Sequence, residues 1–123
     1  MPAIFIVDDD HAILQPLELW FRLKNYKVQT FQSGHNLIES IKSERPDIVL
    51  LDIMLHDEDG RHLCRNIKES INYPVKVLLF SANSAALLTY EDHSADGIIN
   101  KPFQMKDLEQ KCNRLLSLKR SWF

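Results

Sequence analysis

Short β-branched apolar runs alternate along this chain with longer stretches of helical spacing, and few folds accept that alternation. The runs are Ala3–Val7, Lys27–Phe31, 47–51, 75–80 and 97–99. Two of them, IVLL and VLLF, are apolar on both faces, as strands of a parallel sheet must be when helices cover both sides. Between the runs, apolar residues recur at helical intervals. Ile13, Leu14, Leu17 and Phe21 share one face, as do Leu37, Ile38 and Ile41, and then Leu63, Ile67 and Ile71. Met105, Leu108, Cys112, Leu115 and Leu116 form the clearest stripe, and residues 85–90 predict a shorter helix. The pattern is five repeats of strand then helix. It specifies an α/β layer fold with a mostly parallel sheet and helices on both faces. Right-handed crossovers leave few topologies, among them the flavodoxin-like order 2-1-3-4-5. Pro16 lies beyond the first turn of the first helical segment and predicts a kink or a late helix start.

Composition narrows the class. The 123 residues suit one domain, 1–123, large enough to bury a core without staples. Cys64 and Cys112 are too few for a disulfide framework, which makes a reducing, cytoplasmic setting the expectation. Their positions on apolar helical faces read as buried thiols. The opening MPAIFIVDDD turns acidic after a short apolar run, so it reads as neither signal peptide nor membrane span. A net charge of −2 with no basic patch argues against direct nucleic-acid binding.

In an open parallel sheet the ligand site lies beyond the carboxyl ends of the strands. Here those ends carry Asp8, Asp9 and Asp10, then Asp52, Ser81, and Asn100-Lys101-Pro102. Asp10 reads as a helix N-cap. The others bring carboxylates, a hydroxyl and an ammonium to one edge. Clustered carboxylates stay ionised only beside a cation. An oxygen-only cluster suits Mg²⁺, and no Cys/His spacing suggests zinc. A carboxylate beside a divalent cation, a lysine and a hydroxyl can accept a phosphoryl group, because the carboxylate is already a nucleophile. The bland alternatives are a capping role for Ser81, with Ser84 the better cap, and a surface position for Lys101. The five histidines read as solvent-exposed.

In this order the motifs resemble the receiver domain of two-component response regulators over essentially the whole chain, from Ala3 to about Leu118. Val7-Asp8-Asp9 resembles the paired-acid strand end, and Leu50-Leu51-Asp52 with Gly60 the phosphoacceptor strand and its glycine. Phe80-Ser81-Ala82 resembles the switch hydroxyl with its small neighbour, and Lys101-Pro102-Phe103 the lysine–proline–aromatic signature. The resemblance implies a (βα)5 three-layer sandwich with a five-stranded parallel sheet in the order 2-1-3-4-5. It implies that Asp52 is phosphorylated by a histidine kinase or phosphotransfer protein in a two-component phosphorelay. Mg²⁺ would be held by Asp9 and Asp52, by Asp8 directly or through water, and by the backbone carbonyl of Met54. Lys101 would pair with the phosphoryl oxygens, Ser81 would swing toward them, and the amides of Met54 and Ala82 would donate to them. The Lys101-Pro102 bond would be cis. An effector domain or partner protein would receive the output, with homodimerisation on phosphorylation. Such a domain catalyses only its own phosphorylation and slow dephosphorylation.

Three departures bear on the readout. His56 stands where many members have proline, which predicts a looser loop. Ile98 stands where the switch aromatic is expected, and the segment from Ser81 to Lys101 is short. These motivate an alternative, a pseudo-receiver acting as a phosphorylation-independent interaction module. An apolar Met54, two residues past Asp52, orients water poorly and predicts a long-lived phosphoryl group; Asn83 is the other position that influences water attack. A phosphohydrolase is disfavoured, since Met54 replaces a second acid and this stretch of chain holds no cap domain to enclose a substrate. A flavodoxin-like cofactor role is weaker still, because the acidic loop would repel a phosphate. The tail from Lys119 to Phe123 reads either as the start of a linker or as a native end.

Overall fold

A computed structural model describes residues 1–56, 58–82 and 95–120. Its elements run β1 (Ala3–Val7), α1 (His11–Leu23), β2 (Lys27–Phe31), α2 (Leu37–Glu44), β3 (Ile48–Asp52), α3 (Gly60–Ser70), β4 (Lys76–Ser81), β5 (Gly97–Asn100) and α4 (Met105–Arg120). All five strands join one sheet in the order β2-β1-β3-β4-β5, and every pairing is parallel. This is the flavodoxin-like order, one of the few the alternation allowed and the one the resemblance implied. The helix expected at 85–90, Asn83, Ser84, His93 and the last three residues lie outside the described residues.

Alternation along each strand sorts the core into two halves. Ile4, Ile6, Leu50, Leu78 and Phe80 face one side, where Leu14, Leu17 and Phe21 of α1 and Leu108, Cys112 and Leu115 of α4 cover them. Phe5, Val7, Val49, Leu51 and Leu79 face the other side, under Leu37 and Ile41 of α2 and Leu63, Cys64 and Ile67 of α3. Each such side chain contributes about 1.5–3 kcal/mol on leaving water. The central strand β3 is buried throughout, which is why IVLL carries no polar alternation.

Local chemistry sets the helix starts that matter for the site. The Asp10 carboxylate accepts the Ala12 amide and caps α1, as expected. The helix runs from His11 through Pro16 to Leu23, so of the kink or late start expected at Pro16 the late start does not occur. The Asp10 cap fixes the helix entry before the proline is reached. Asp59 caps α3 in the same way through the Arg61 amide. The next residue, Gly60, packs so closely under β3 that any side chain would run into the Asp52 backbone carbonyl. Its own amide donates to the Ile53 carbonyl at 2.7 Å.

Candidate functional site

The carboxyl ends of β1, β3 and β4 converge because these strands are neighbours in the sheet. Asp8, just past β1, continues the ladder: its amide donates to the Phe31 carbonyl at 3.0 Å. Its Oδ1 accepts the Asp10 amide at 2.9 Å, which turns the chain into α1 and fixes the carboxylate. Asp8 is fully buried, Asp52 nearly so, and Asp9 is exposed. One oxygen from each of the three lies within 4.8 Å of the others.

Lys101 closes the cluster from the β5 side. Its Nζ donates to Asp8 Oδ2 at 2.9 Å and to Asp52 Oδ2 at 3.1 Å. Its backbone amide donates to the Ser81 carbonyl at 2.9 Å, tying it to the end of β4. The bond to Pro102 is cis. Asp52 Oδ1 accepts the Met54 amide at 3.1 Å. Burial raises the Asp52 carboxyl above its ordinary range; the Met54 amide pulls it down and the Asp8 charge adds to the rise. Burial opposes the Lys101 charge, yet its bonds to Asp8 and Asp52 leave that ammonium held above its usual range. A cation therefore already offsets two buried acids, with one acidic group in excess.

The described residues among those singled out in the sequence can now be placed. Asp8, Asp9, Asp52 and Lys101 meet in one cluster. Ser81 is buried at the end of β4. Met54, whose amide reaches Asp52, is more than half exposed, at 58%. Ala82 is exposed beside Ser81. The loop after Asp52 is held by an antiparallel bridge between Met54 and Asp59 and by Glu58, whose Oε1 accepts the Gly34 amide at 3.1 Å. His56 in that loop is exposed, as are His11, His35 and His62. Ile98 is half-buried against the α2/α3 half of the core. Both thiols are buried, and burial pushes Cys64 and Cys112 up to about 12.

Sequence reasoning overlooked one neighbour of the site. The ring of Phe80 lies under the Lys101 ammonium, 4.6 Å from Nζ to the centroid. The signal was available: Phe80 is the residue before Ser81, and in the parallel register it stands directly beside Asp52.

A buried acid pair and a lysine at the carboxyl edge of a 2-1-3-4-5 sheet define a class of signalling domain, and sequence comparison agrees. The family description "Response regulator receiver domain" matches residues 4–113. The chain belongs to that family, the receiver domains of two-component response regulators. It is 29% identical over 116 residues to the transcriptional regulatory protein AfsQ1 of Streptomyces coelicolor, covering 94% of this chain and 52% of AfsQ1. It is 32% identical over 118 residues to the response regulator MprA of Mycolicibacterium vanbaalenii, covering 94% and 51%. The chain thus spans about half the length of these relatives. Among solved structures, a CheY-like receiver domain protein from Methanospirillum hungatei superposes with a TM-score of 0.91 at 25% identity, covering 100% of this chain and 99% of that one. The BeF3-activated DrrB receiver domain superposes at 0.84 with 30% identity, covering 95% and 98%. No helix among the described residues is long and apolar enough to cross a membrane.

Proposed function

We propose that this receiver domain is a phosphorylation-controlled switch whose phosphoacceptor is Asp52. The carrying observation is that Asp52 is buried at the sheet edge, beside Asp8 and within hydrogen-bond reach of Lys101. The donor is a phosphohistidine of a sensor kinase or phosphotransfer protein. An Asp52 carboxylate oxygen forms the new O–P bond as the donor's P–N bond breaks. The imidazole nitrogen leaves with the electron pair and takes a proton from solvent. No general base is needed, because the attacking group is an ionised carboxylate. Lys101 turns from Asp52 toward the incoming phosphoryl oxygens and offsets their charge.

The donor set fits Mg²⁺: three carboxylates with oxygens in mutual reach, no nitrogen or sulfur ligand among the described residues, and an open, solvated side at Asp9. Asp8, Asp9, Asp52 and the Met54 carbonyl would hold it, and the ion would supply positive charge against the transferring phosphoryl group. Ser81 closes on the phosphoryl group from the end of β4, with the amides of Met54 and Ala82 donating to it. The acyl phosphate shifts a pre-existing equilibrium through these contacts. The domain works in the cytoplasm and passes its state to an effector domain or partner, with homodimerisation as one output. Ile98, in place of an aromatic ring, favours a second reading: a pseudo-receiver that binds its partner without phosphorylation.

Incubation with acetyl phosphate and Mg²⁺, read by intact mass, separates the two. The switch predicts one phosphoryl adduct on the wild type and none on Asp52→Asn or in chelator. A folded wild type that takes no phosphoryl group from acetyl phosphate or from a phosphorylated histidine phosphotransfer protein overturns the switch and favours the pseudo-receiver.

A further inference from the structure

Adjacent strands in parallel register point their paired side chains to the same face. Asp52 pairs with Phe80, and Phe80 pairs with Ile99. The three form a row across the sheet, and Lys101 follows two residues after Ile99. To reach Asp52 and Asp8 the lysine must pass over the residue between them, which is Phe80. The distances agree: Nζ is 4.6 Å from the Phe80 centroid and 3.1 Å from Asp52 Oδ2. An ammonium has three protons, and two are committed to the carboxylates. The remaining positive surface has a ring face for a neighbour. Phe80 is wholly buried, and Phe103 meets it edge-on, with centroids 6.0 Å apart and planes at 75°. Packing therefore leaves the ring little freedom to turn its face away.

We propose that Phe80 is a positioning residue for Lys101, its ring face holding the ammonium in line with Asp52. A leucine would fill the same part of the core. It has no quadrupole, however, and a cation is drawn to the negative face of an aromatic ring more strongly when water is excluded. The consequence for phosphoryl transfer rests on the reading of Lys101 as the partner of the transferred group. The contact itself does not.

Two measurements on the full chain test this. The first is NMR of the protein without metal or donor. Lys101 ε-methylene protons above a ring face are expected upfield of the other lysines, and Phe80→Leu is expected to return them to the ordinary position. The second replaces Phe80 by 3,4,5-trifluorophenylalanine, which keeps the ring's form and drains the charge from its face. Acetyl phosphate should then phosphorylate the protein about fivefold more slowly, the size of a partly desolvated cation–π contact, while the variant still unfolds cooperatively. Lys101 resonances indistinguishable from those of exposed lysines in the wild type would overturn the proposal. So would a trifluoro variant phosphorylated at the wild-type rate. If the wild type accepts no phosphoryl group, the switch reading fails, and the NMR result alone decides the role of Phe80.

Discussion

The acidic pocket holds more negative charge than one lysine offsets, so removing one acid should stabilise the fold in the absence of a divalent cation. Consider Asp52→Asn. Oxygens of Asp8 and Asp52 lie within 4.8 Å; at an effective dielectric of about 20, that repulsion is about 3–4 kcal/mol. The attraction of Asp52 to Lys101 at 3.1 Å is about 5 kcal/mol at the same dielectric. The Coulomb balance therefore favours the ionised carboxylate by only about 2 kcal/mol. Taking a carboxylate out of water costs several kcal/mol even after relaxation, and Asp52 is only 4% exposed. Burial wins, which is why its carboxyl is held above the ordinary value of 3.8. Asparagine keeps an acceptor for the Met54 amide and leaves Lys101 on Asp8, but one of its amide contacts is imperfect. The expected gain is about 1–2 kcal/mol, roughly 4–8 °C in Tm for a domain of this size.

The pH dependence has a definite sign. A folded pKa above the unfolded one means the native state binds more protons, so this group's contribution improves as pH falls. The advantage of Asp52→Asn should be full at neutral pH and shrink as pH drops through the raised Asp52 value. Thermal unfolding in chelator, at neutral and at acid pH, measures both. Mg²⁺ should then raise the Tm of the wild type more than that of the variant. Lys101→Met is the opposite perturbation: it strands two buried acids and should cost about 3–5 kcal/mol. An Asp52→Asn protein no more stable than wild type at neutral pH, with a gap that ignores pH, would refute the account of the pocket.

Further expectations concern single residues. Met54→Asn puts a group able to orient water at the mouth of the pocket, so the phosphoryl half-life should shorten, as read by decay of the intact-mass adduct. Gly60→Ala should destabilise by about 2–3 kcal/mol, since the added methyl meets the Asp52 carbonyl and the α3 entry must shift; urea unfolding measures it. Asp59→Ala loses the α3 cap and should cost about 1 kcal/mol in the same assay. Cys64 and Cys112, with thiols pushed up to about 12 by burial, should resist a thiol-titrating disulfide in the native protein and react fully in denaturant.

Much of this protein is legible in its chain. Fully apolar runs such as IVLL have no solvent face, so they belong at the centre of a parallel sheet, and β3 is buried from end to end. Once strands alternate with helices, the carboxyl ends are the place to look, and Asp8, Asp52, Ser81 and Lys101 can be named there without coordinates. The first helix shows the limit of local rules. Pro16 argued for a kink or a later start; the later start does not occur, because the Asp10 cap satisfies amides at the helix entry that proline does not touch.

What the tertiary structure decided are relations between strands. Asp8 and Asp52 are 44 residues apart in sequence, and only the β1–β3 pairing brings them together. Which of the acids is buried follows from the turn into α1, where Asp8 accepts the Asp10 amide and Asp9 is left in water. The place of Phe80 under Lys101 depends on inter-strand register, since a shift of one residue would move the ring to the opposite face. Periodicity within a strand records which side chains face the core. It carries no record of which strand lies beside it, and the charge balance of the pocket depends on that neighbour.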